Sequence, residues 1–596
     1  MKFPMLTEIQ SSRQMVDVFA GYNHNLRIND GEFYDMKNLT SSHYPALSPR
    51  DKRGTYISVS NPLGMIAKDS LCYVDNGKLY INKNEVEGLD LNSEEKTLVS
   101  MGAYIIILPD KKWVNTENTS KYGSIDATFD SNPWVKFTLC QLDGTDYGEG
   151  FHGEGTAPEN PVNGQFWLDT SSKPNSLKVY SSSTSTWTAV ATTYVKIESP
   201  NIDLDFEVYD GINISGLGRE IVLKDYSDGH EIVGTARDQL ADLNGSAVVW
   251  AKGKDYIVVV GILDEVTTIS NTVTITRKMP EVDFLIESQN RLWGCKYGVV
   301  NGETVNEIYA CKQGDFKNWN CFMGVSTDSY VASCGTDGKF TGAITHLGYP
   351  LFFKEGFMHK VYGNYPANYQ IQTTACRGVQ KGCNNSLAIV NEVLYYKSRN
   401  GVVAYDGSLP TEMSNALGDM SYSNAVACGH GNKYYISMSD ESNKYHLFVY
   451  DTKKGVWHRE DDLQVDMFCS CRNELYFVQH DVKAIKTLFG SGIVDTAPVE
   501  WMAETGPLVT YSPDKKYISR LNVRMSLAIG TVVHFYIQYD SAGEWHHAST
   551  MTGTVLRPFS VPIRPRRCDH FKIRIVGVGE AKIHSITKTI EQGSDI

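Results

Sequence analysis

Short apolar runs with period-two alternation recur down the chain, each closed by a turn-forming cluster. They read NRLWGC around Leu292, YPLFFKEG around Leu351, EVLYYKSRNG around Leu394, NKYYISMSD around Tyr434 and NELYFVQHD around Leu475. The steps from Leu351 to Leu394 to Tyr434 to Leu475 are all about 40 residues, the length of a four-stranded propeller blade. The pattern predicts an all-β protein built on a β-propeller. Six blades are the expected number and seven the alternative. An insertion obscures the second blade, and a closing strand from residues 69–82 pairing near Leu475 would shift the count by one.

The same pattern divides the chain. Residues 1–54 read as an extended N-terminal arm, with Pro45 and Pro49 favouring extended backbone and no helical period. Residues 55–119 hold the first propeller strands, in DSLCYVDNGKLYIN from Asp69 and GAYIIILPDKKWVN from Gly102, with DNG and PDKK as hairpin turns. Residues 120–200 shift to Ser, Thr, Gly, Asn and Pro and read as an inserted small β module. Residues 201–490 are assigned to the remaining blades, with one helix expected in TARDQLADLNG. Past Gly490 the period stops. Longer strictly alternating strands follow, with Phe571, Ile573 and Ile575 on one face and His570, Lys572 and Arg574 on the other, so 491–596 is expected to be a β-sandwich.

Several blades end in a similar corner: Tyr450-Asp451 before Trp457, Asp315 before Trp319, and Tyr405-Asp406 opening YDGSLP. An Asp at a strand end caps the following turn while the aromatic packs back into the blade. These are structural positions.

Composition agrees with an ordered, turn-rich β protein: of 596 residues 41% are hydrophobic and 21% charged, with 50 Gly and 34 Tyr. No run of about 18 apolar residues exists to span a membrane. The opening MKFPMLTEIQSSRQ has no apolar core of a secretory signal. The net charge of −13 argues against a sequence-reading nucleic-acid binder, though a polyanion could slide past an acidic or neutral wall. The twelve cysteines lack metal-ligand spacing and sit in apolar strands such as AVACG and FCSCRN, as buried thiols made in a reducing compartment would.

Reactive constellations are hard to find. GxSxG, HExxH, GxxxxGK[ST] and EF-hand loops are absent, and Asp and Glu cluster in turns rather than as a placed acid pair. His546 and His547 are adjacent, which on a strand puts them on opposite faces. No catalytic, cofactor-binding or metal residue is assigned. Two surfaces stand out for binding. Trp167, Tyr180 and Trp187 in the insertion could stack on a sugar ring, or Trp167 and Trp187 could simply form the core of a tiny module. The run RPFSVPIRPRRCDHFKIR brings Arg564, Arg566, Arg567, Lys572 and Arg574 together, as a docking face for an acidic neighbour or as a solvated strand face.

The stretch GEFYDMKNLTSSHYPALSPRDKRG resembles the N-terminal block of phage tail proteins known as stabilisation proteins. The matching elements are Asn38-Leu39, Tyr44-Pro45, Pro49-Arg50 and Arg53-Gly54, and the closing GSDI at 593–596 is also similar to that family. In layout these proteins are similar to the propeller tail hubs, or nozzles, of short-tailed bacteriophages. The resemblance implies a structural virion protein, made in the host bacterial cytoplasm and placed in the tail. There it would form a cyclic homo-oligomer of six below the portal and adaptor, continue the DNA channel, retain packaged DNA and anchor tail fibres. Tyr44, Pro45, Arg50 and Arg53 then become candidates for contact with a neighbour, the arm being suited to strand addition. A host-recognition protein binding surface glycans is the alternative function, and a propeller glycosidase the third.

Overall fold

The computed structural model describes residues 11–147, 153–171, 175–217, 221–223, 234–236, 239–263, 266–510, 515–553 and 557–592. The GSDI terminus lies outside them. The fold is an all-β propeller with an inserted β module and a C-terminal β-sandwich. The chain divides into two compact units, residues 1–98, 338–360 and 372–596 in the first and 99–337 and 361–371 in the second.

Blade sheets in the first unit lie at 62–90, 388–412, 423–459 and 465–487, together with most of the one at 342–375. Those in the second lie at 97–124 and 284–333. Each is an antiparallel meander in chain order. Among the described residues such sheets number seven, the alternative count rather than the expected six. The extra blade comes from the early strands, because 62–90 and 97–124 are each complete four-stranded sheets. Their hairpins follow from turn chemistry. Asn76 (φ 48°) and Gly77 (φ 77°) supply the two left-handed residues that join Leu71–Asp75 to Lys78–Ile81.

The sheet at 465–487 has only three strands of its own. Gly54–Ser58 supplies the fourth, pairing antiparallel with Ala484–Thr487. The closing strand is therefore 54–58 and not the expected 69–82, which forms inner strands of its own sheet. Gly54 is required there: a Cβ would lie 2.5 Å from the Ser491 carbonyl oxygen and 2.7 Å from Thr487 Oγ1.

The boundary expected at residue 200 falls inside a sheet. Val135–Cys140 pairs with Tyr194–Glu198, which pairs in turn with Tyr256–Val260. A second sheet joins Ala127–Asp130, Thr274–Arg277, Gly211–Ser215 and Gly245–Val248. Between them lie Phe137, Val195, Ile197, Ile212, Ile257, Val259 and Ile275, each at most 1% exposed. The insertion is thus a two-sheet sandwich over about 127–277, and the small module expected at 120–200 is reduced to a four-stranded sheet at 153–189 attached to it. Alternating strands on both sides of 200 look alike in sequence, so only the pairing shows which sheet they join. The expected helix is a 3₁₀ turn at Gln239–Leu243, with Gly234–Ala236 in a strand before it.

The described part of the N-terminal arm, from residue 11, pairs within its own chain. Ser11–Val16 pairs with Ala581–Gln592 at one sandwich edge, and Asp35–Lys37 with Glu500–Glu504 at the edge of the facing sheet. Phe19, Tyr22, Phe33, Met36, Leu39 and Leu47 are buried in the same core as the sandwich strands. These apolar side chains are spaced irregularly along the arm, so their burial is decided by tertiary packing and not by a strand period. In the sandwich, Phe571, Ile573 and Ile575 face inward as the alternation requires, at 2, 2 and 0% exposed.

The blade corners also follow the sequence. Asp451 accepts the Lys453 and Lys454 amides while Trp457 packs 5.0 Å from Tyr450, and Asp406 accepts the Ser408 amide. All twelve cysteines are unpaired thiols, ten of them buried.

His359 is fully buried beside Thr373, and burial pulls its imidazolium down to about 4 with the Lys354 charge assisting. Its folded value lies below the unfolded one, so the unfolded chain gains the proton first. Stability is therefore whole above about pH 6.5 and falls as the pH drops toward 4, by at most on the order of 3 kcal/mol from this residue. Melting of His359→Gln is expected to show a shallower pH dependence across that window than the parent. An identical slope would remove His359 as its source.

Candidate functional site

Three leader residues singled out by the sequence, Asn38, Arg50 and Arg53, meet at one place. Arg53 reaches Asp461 at 2.7 Å through Nη1 and Glu460 at 3.1 Å through Nη2, with its guanidinium 5.5 Å from the Phe477 ring centre. Arg50 lies beside the same acids, at 3.8 Å from Glu460 and 3.7 Å from Asp461. Arg53 and Glu460 are 8% and 4% exposed. Burial pushes the Glu460 carboxyl upward, opposed by the charges of Arg53 and Arg50.

Asn38 completes the cluster. It sits at φ 54°, a conformation Asn tolerates better than most side chains. Its amide donates to the Glu460 carbonyl, its Nδ2 to the Glu500 carbonyl at 2.7 Å, and its Oδ1 accepts from Arg50 Nε at 2.8 Å. One residue, through its backbone amide and its side chain, thereby ties the end of a blade, the leader and the first sandwich strand. Tyr44-Pro45 is a cis peptide; the Pro45 carbonyl accepts the Phe19 amide, and Lys454 Nζ stands 5.2 Å over the Tyr44 ring. The expected neighbour contacts Tyr44, Pro45, Arg50 and Arg53 thus make contacts within their own chain.

The C-terminal basic run is divided. Arg574 pairs with Glu504 at 2.6 Å and stacks 4.2 Å from Trp545, and Lys572 lies 5.5 Å from the Tyr34 ring. Arg564 and Arg566 are exposed, the latter 5.8 Å from the Tyr539 ring, while Arg567 is half-buried. Arg564 and Arg566 are the members that face solvent.

In the small module the three aromatics do come together. Strand alternation sends Phe166 and Leu168 toward Leu139, Leu177 and Ile262, and leaves Trp167 on the opposite face. Trp167 is 6% exposed, donates from Nε1 to the Glu154 carbonyl at 3.0 Å and meets Trp187 edge-on at 5.4 Å. Tyr180 lies 5.3 Å from Trp187, and both are half-buried. Trp167 therefore belongs to the core, whereas Trp187 and Tyr180 form the accessible edge.

Two polar neighbours escaped the sequence reading. Lys178, directly across from Trp167 in the strand register, holds its Nζ 4.9 Å over that ring. It also bonds Asp169 at 2.7 Å, and with Ser171 it holds the Asp169 carboxyl down to about 2. The pairing register between 166–169 and 176–181 was the missing signal.

Many turn carboxylates are held by backbone. Asp328 Oδ2 accepts three consecutive amides, Met323 to Val325, and Asp75 accepts those of Ser60 and Asn61. Among the described residues no group of three His, Cys, Asp or Glu is placed to hold a metal, and no helix is long and apolar enough to cross a membrane.

No protein-family model matches the chain, and no curated protein does. Among solved structures it is similar to an exo-β-1,3-galactanase from Phanerochaete chrysosporium bound to β-1,3-galactotriose. Identity is 8%, coverage 51% of this chain and 94% of that one, and the TM-score 0.21. It is similar, too, to a GH43 glycoside hydrolase with both endo-xylanase and exo-arabinofuranosidase activity, at 8% identity, 51% and 96% coverage and TM-score 0.20. A third is the extracellular domain of a hybrid two-component system from B. thetaiotaomicron, at 9% identity, 89% and 98% coverage and TM-score 0.18. Scores this low carry no functional argument.

Trp167→Ala is expected to cost about 3 kcal/mol locally. Amide exchange on the full chain would show it as lost protection in 166–169 and 176–181. Trp187→Ala, at the edge of the cluster, is expected to change those amides far less. Equal effects of the two would show that both rings are core.

Proposed function

We propose that the protein is a structural subunit of a bacteriophage tail, a nozzle or hub component that performs no catalytic step. The observation that carries this reading is where the matched leader residues sit. Asn38, Arg50, Arg53 and Gly54 are the residues that lock the leader against the last blades and the sandwich. A block of sequence that secures the architecture would be shared by proteins of the same layout, which supports the reading as a tail hub. On this reading subunits assemble into a cyclic ring under the portal and adaptor, DNA passes without sequence recognition, and tail fibres attach at the outside.

The acidic balance supports that picture. Residues 491–596 carry a net charge of +2 and the rest of the chain −15. Exposed Arg564 and Arg566 lie on the basic part, so opposite charges are available for contacts between copies or with neighbouring virion proteins. The channel wall would offer a polyanion little attraction.

Electron microscopy of purified protein is expected to show closed rings, and immunogold labelling of particles a signal at the tail below the capsid. A protein that stays monomeric at all concentrations and is missing from particles would end the proposal. Arg53→Met is expected to destabilise the subunit by about 3 kcal/mol, since it strands the buried Glu460 and Asp461, while Arg566→Ala stays within about 0.5 kcal/mol. Thermal melting separates the two.

A second reading has its own observation: the half-buried Trp187 and Tyr180 present ring surface on a module that projects from the inserted sandwich. Host-surface glycan binding there would require adsorption to drop on Trp187→Ala in a folded protein. Unchanged adsorption would leave the aromatic pair a structural edge.

A further inference from the structure

Lys397 ends a blade strand, Val393–Ser398, and is 2% exposed. Its ammonium donates to Gln380 Oε1 at 2.8 Å and to the Ser398 carbonyl at 2.6 Å. An ammonium has three N–H donors, so one remains uncommitted. Among the described residues no carboxylate oxygen lies within 4 Å of it. A cation this buried is normally paired with an anion, because desolvation costs several kcal/mol otherwise. The cost is visible as a shift: burial lowers the group to about 8.

Lys397 lines a cavity of about 580 Å³ within the first unit. That volume suits a small ligand of one or two sugar-sized rings. Its wall is unusually polar, with exposed Arg399, Asn400 and Asn415 near the rim and buried Tyr422 and Met438 giving the apolar part. The two carboxylates on the wall do not neutralise it. Glu412 is bonded to Arg377 at 2.6 Å, which leaves Lys397 and Arg399 against the single charge of Asp419. The leader covers one side: Asn25 reaches the Asn415 carbonyl at 2.8 Å, and the His24 amide reaches that of Ala416.

We propose that this cavity binds a small polyhydroxylated anion, a sugar or polyol carrying a carboxylate or phosphate, with its anionic group on the free N–H of Lys397. Arg399 adds a second cation at the mouth, and the Asn400 and Asn415 amides serve the hydroxyls. The buried ammonium selects for charge, and the amides select for hydroxyls, so neither a bare hydrocarbon nor a neutral sugar satisfies the site. This role is independent of ring assembly and of the aromatic edge on the insertion.

The test is calorimetric titration of the full chain with glucuronate, glycerol 1-phosphate, glucose and glycerol. Binding of at least one anionic probe, ten times or more tighter than its neutral counterpart, is expected. Preference for glucuronate assigns a uronic-acid-type ligand, and preference for glycerol 1-phosphate a polyol phosphate. Lys397→Met, which keeps the stem and removes the charge, is expected to weaken binding at least tenfold. Arg399→Ala and Asn400→Ala, both at exposed positions, are expected to weaken it several-fold with melting unchanged, and they carry the test if Lys397→Met does not fold. Failure of both anions to bind at 10 mM, equal binding of glucose and glucuronate, or binding indifferent to the folded variants would overturn the proposal. Because rings can be scored separately, loss of this site and loss of the assembly reading give different results.

Discussion

The paired charges at Arg50, Arg53, Glu460 and Asp461 are the constraint on which the first unit depends. Two guanidinium groups and two carboxylates leave water together and balance only in this arrangement. Because the arginines belong to the leader and the acids to a late blade strand's end, the cluster joins positions more than 400 residues apart. Asn38 extends it to the sandwich through Glu500. Gly54–Ser58 then continues directly into the sheet at 465–487. Ion pair, amide clamp and closing strand are consecutive parts of one segment, so the chain is held closed where its leader begins the blades.

An equivalent device holds the inserted sandwich in the second unit. Arg277 pairs with buried Asp210, whose other oxygen accepts from Asn318 Nδ2 at 2.8 Å, and Asn318 Oδ1 accepts the Gly211 amide at 2.9 Å. Asp210 and Arg277 come from the insertion and Asn318 from the following blade. Both junctions rely on buried charges paired with opposite charges rather than on apolar area alone, a choice that penalises wrong docking more than it adds stability.

Lys397 is the exception to that pattern. At both junctions every buried cation meets a carboxylate, whereas Lys397 meets an amide and a carbonyl beside open volume. Arg291, also fully buried, is likewise held by backbone carbonyls, so what distinguishes Lys397 is the cavity beside it. Trp187 and Tyr180 are a weaker exception, since their partner Trp167 accounts for much of their packing.

The sequence by itself determined the local rules. Period-two alternation fixed which side of Phe571–Val578 faces the core, DNG fixed a two-residue turn, and Asp before an aromatic fixed the blade corners, because each depends on residues close together in the chain. The 40-residue step likewise revealed blades before any pairing was known. Pairing itself was decided only in three dimensions. A strand's pattern says that it is half-buried but not against which partner, so 194–198 was read into a small module and 256–260 into the propeller although they pair with each other, and 54–58 was not seen as the strand that closes the last blade. The same holds for charge. Arg53 and Arg566 are alike in sequence; tertiary structure buries the first against Glu460 and Asp461 and leaves the second in water. Lys397 gave no sign in the chain at all, because the cost of a buried charge exists only once the fold has taken its solvent away.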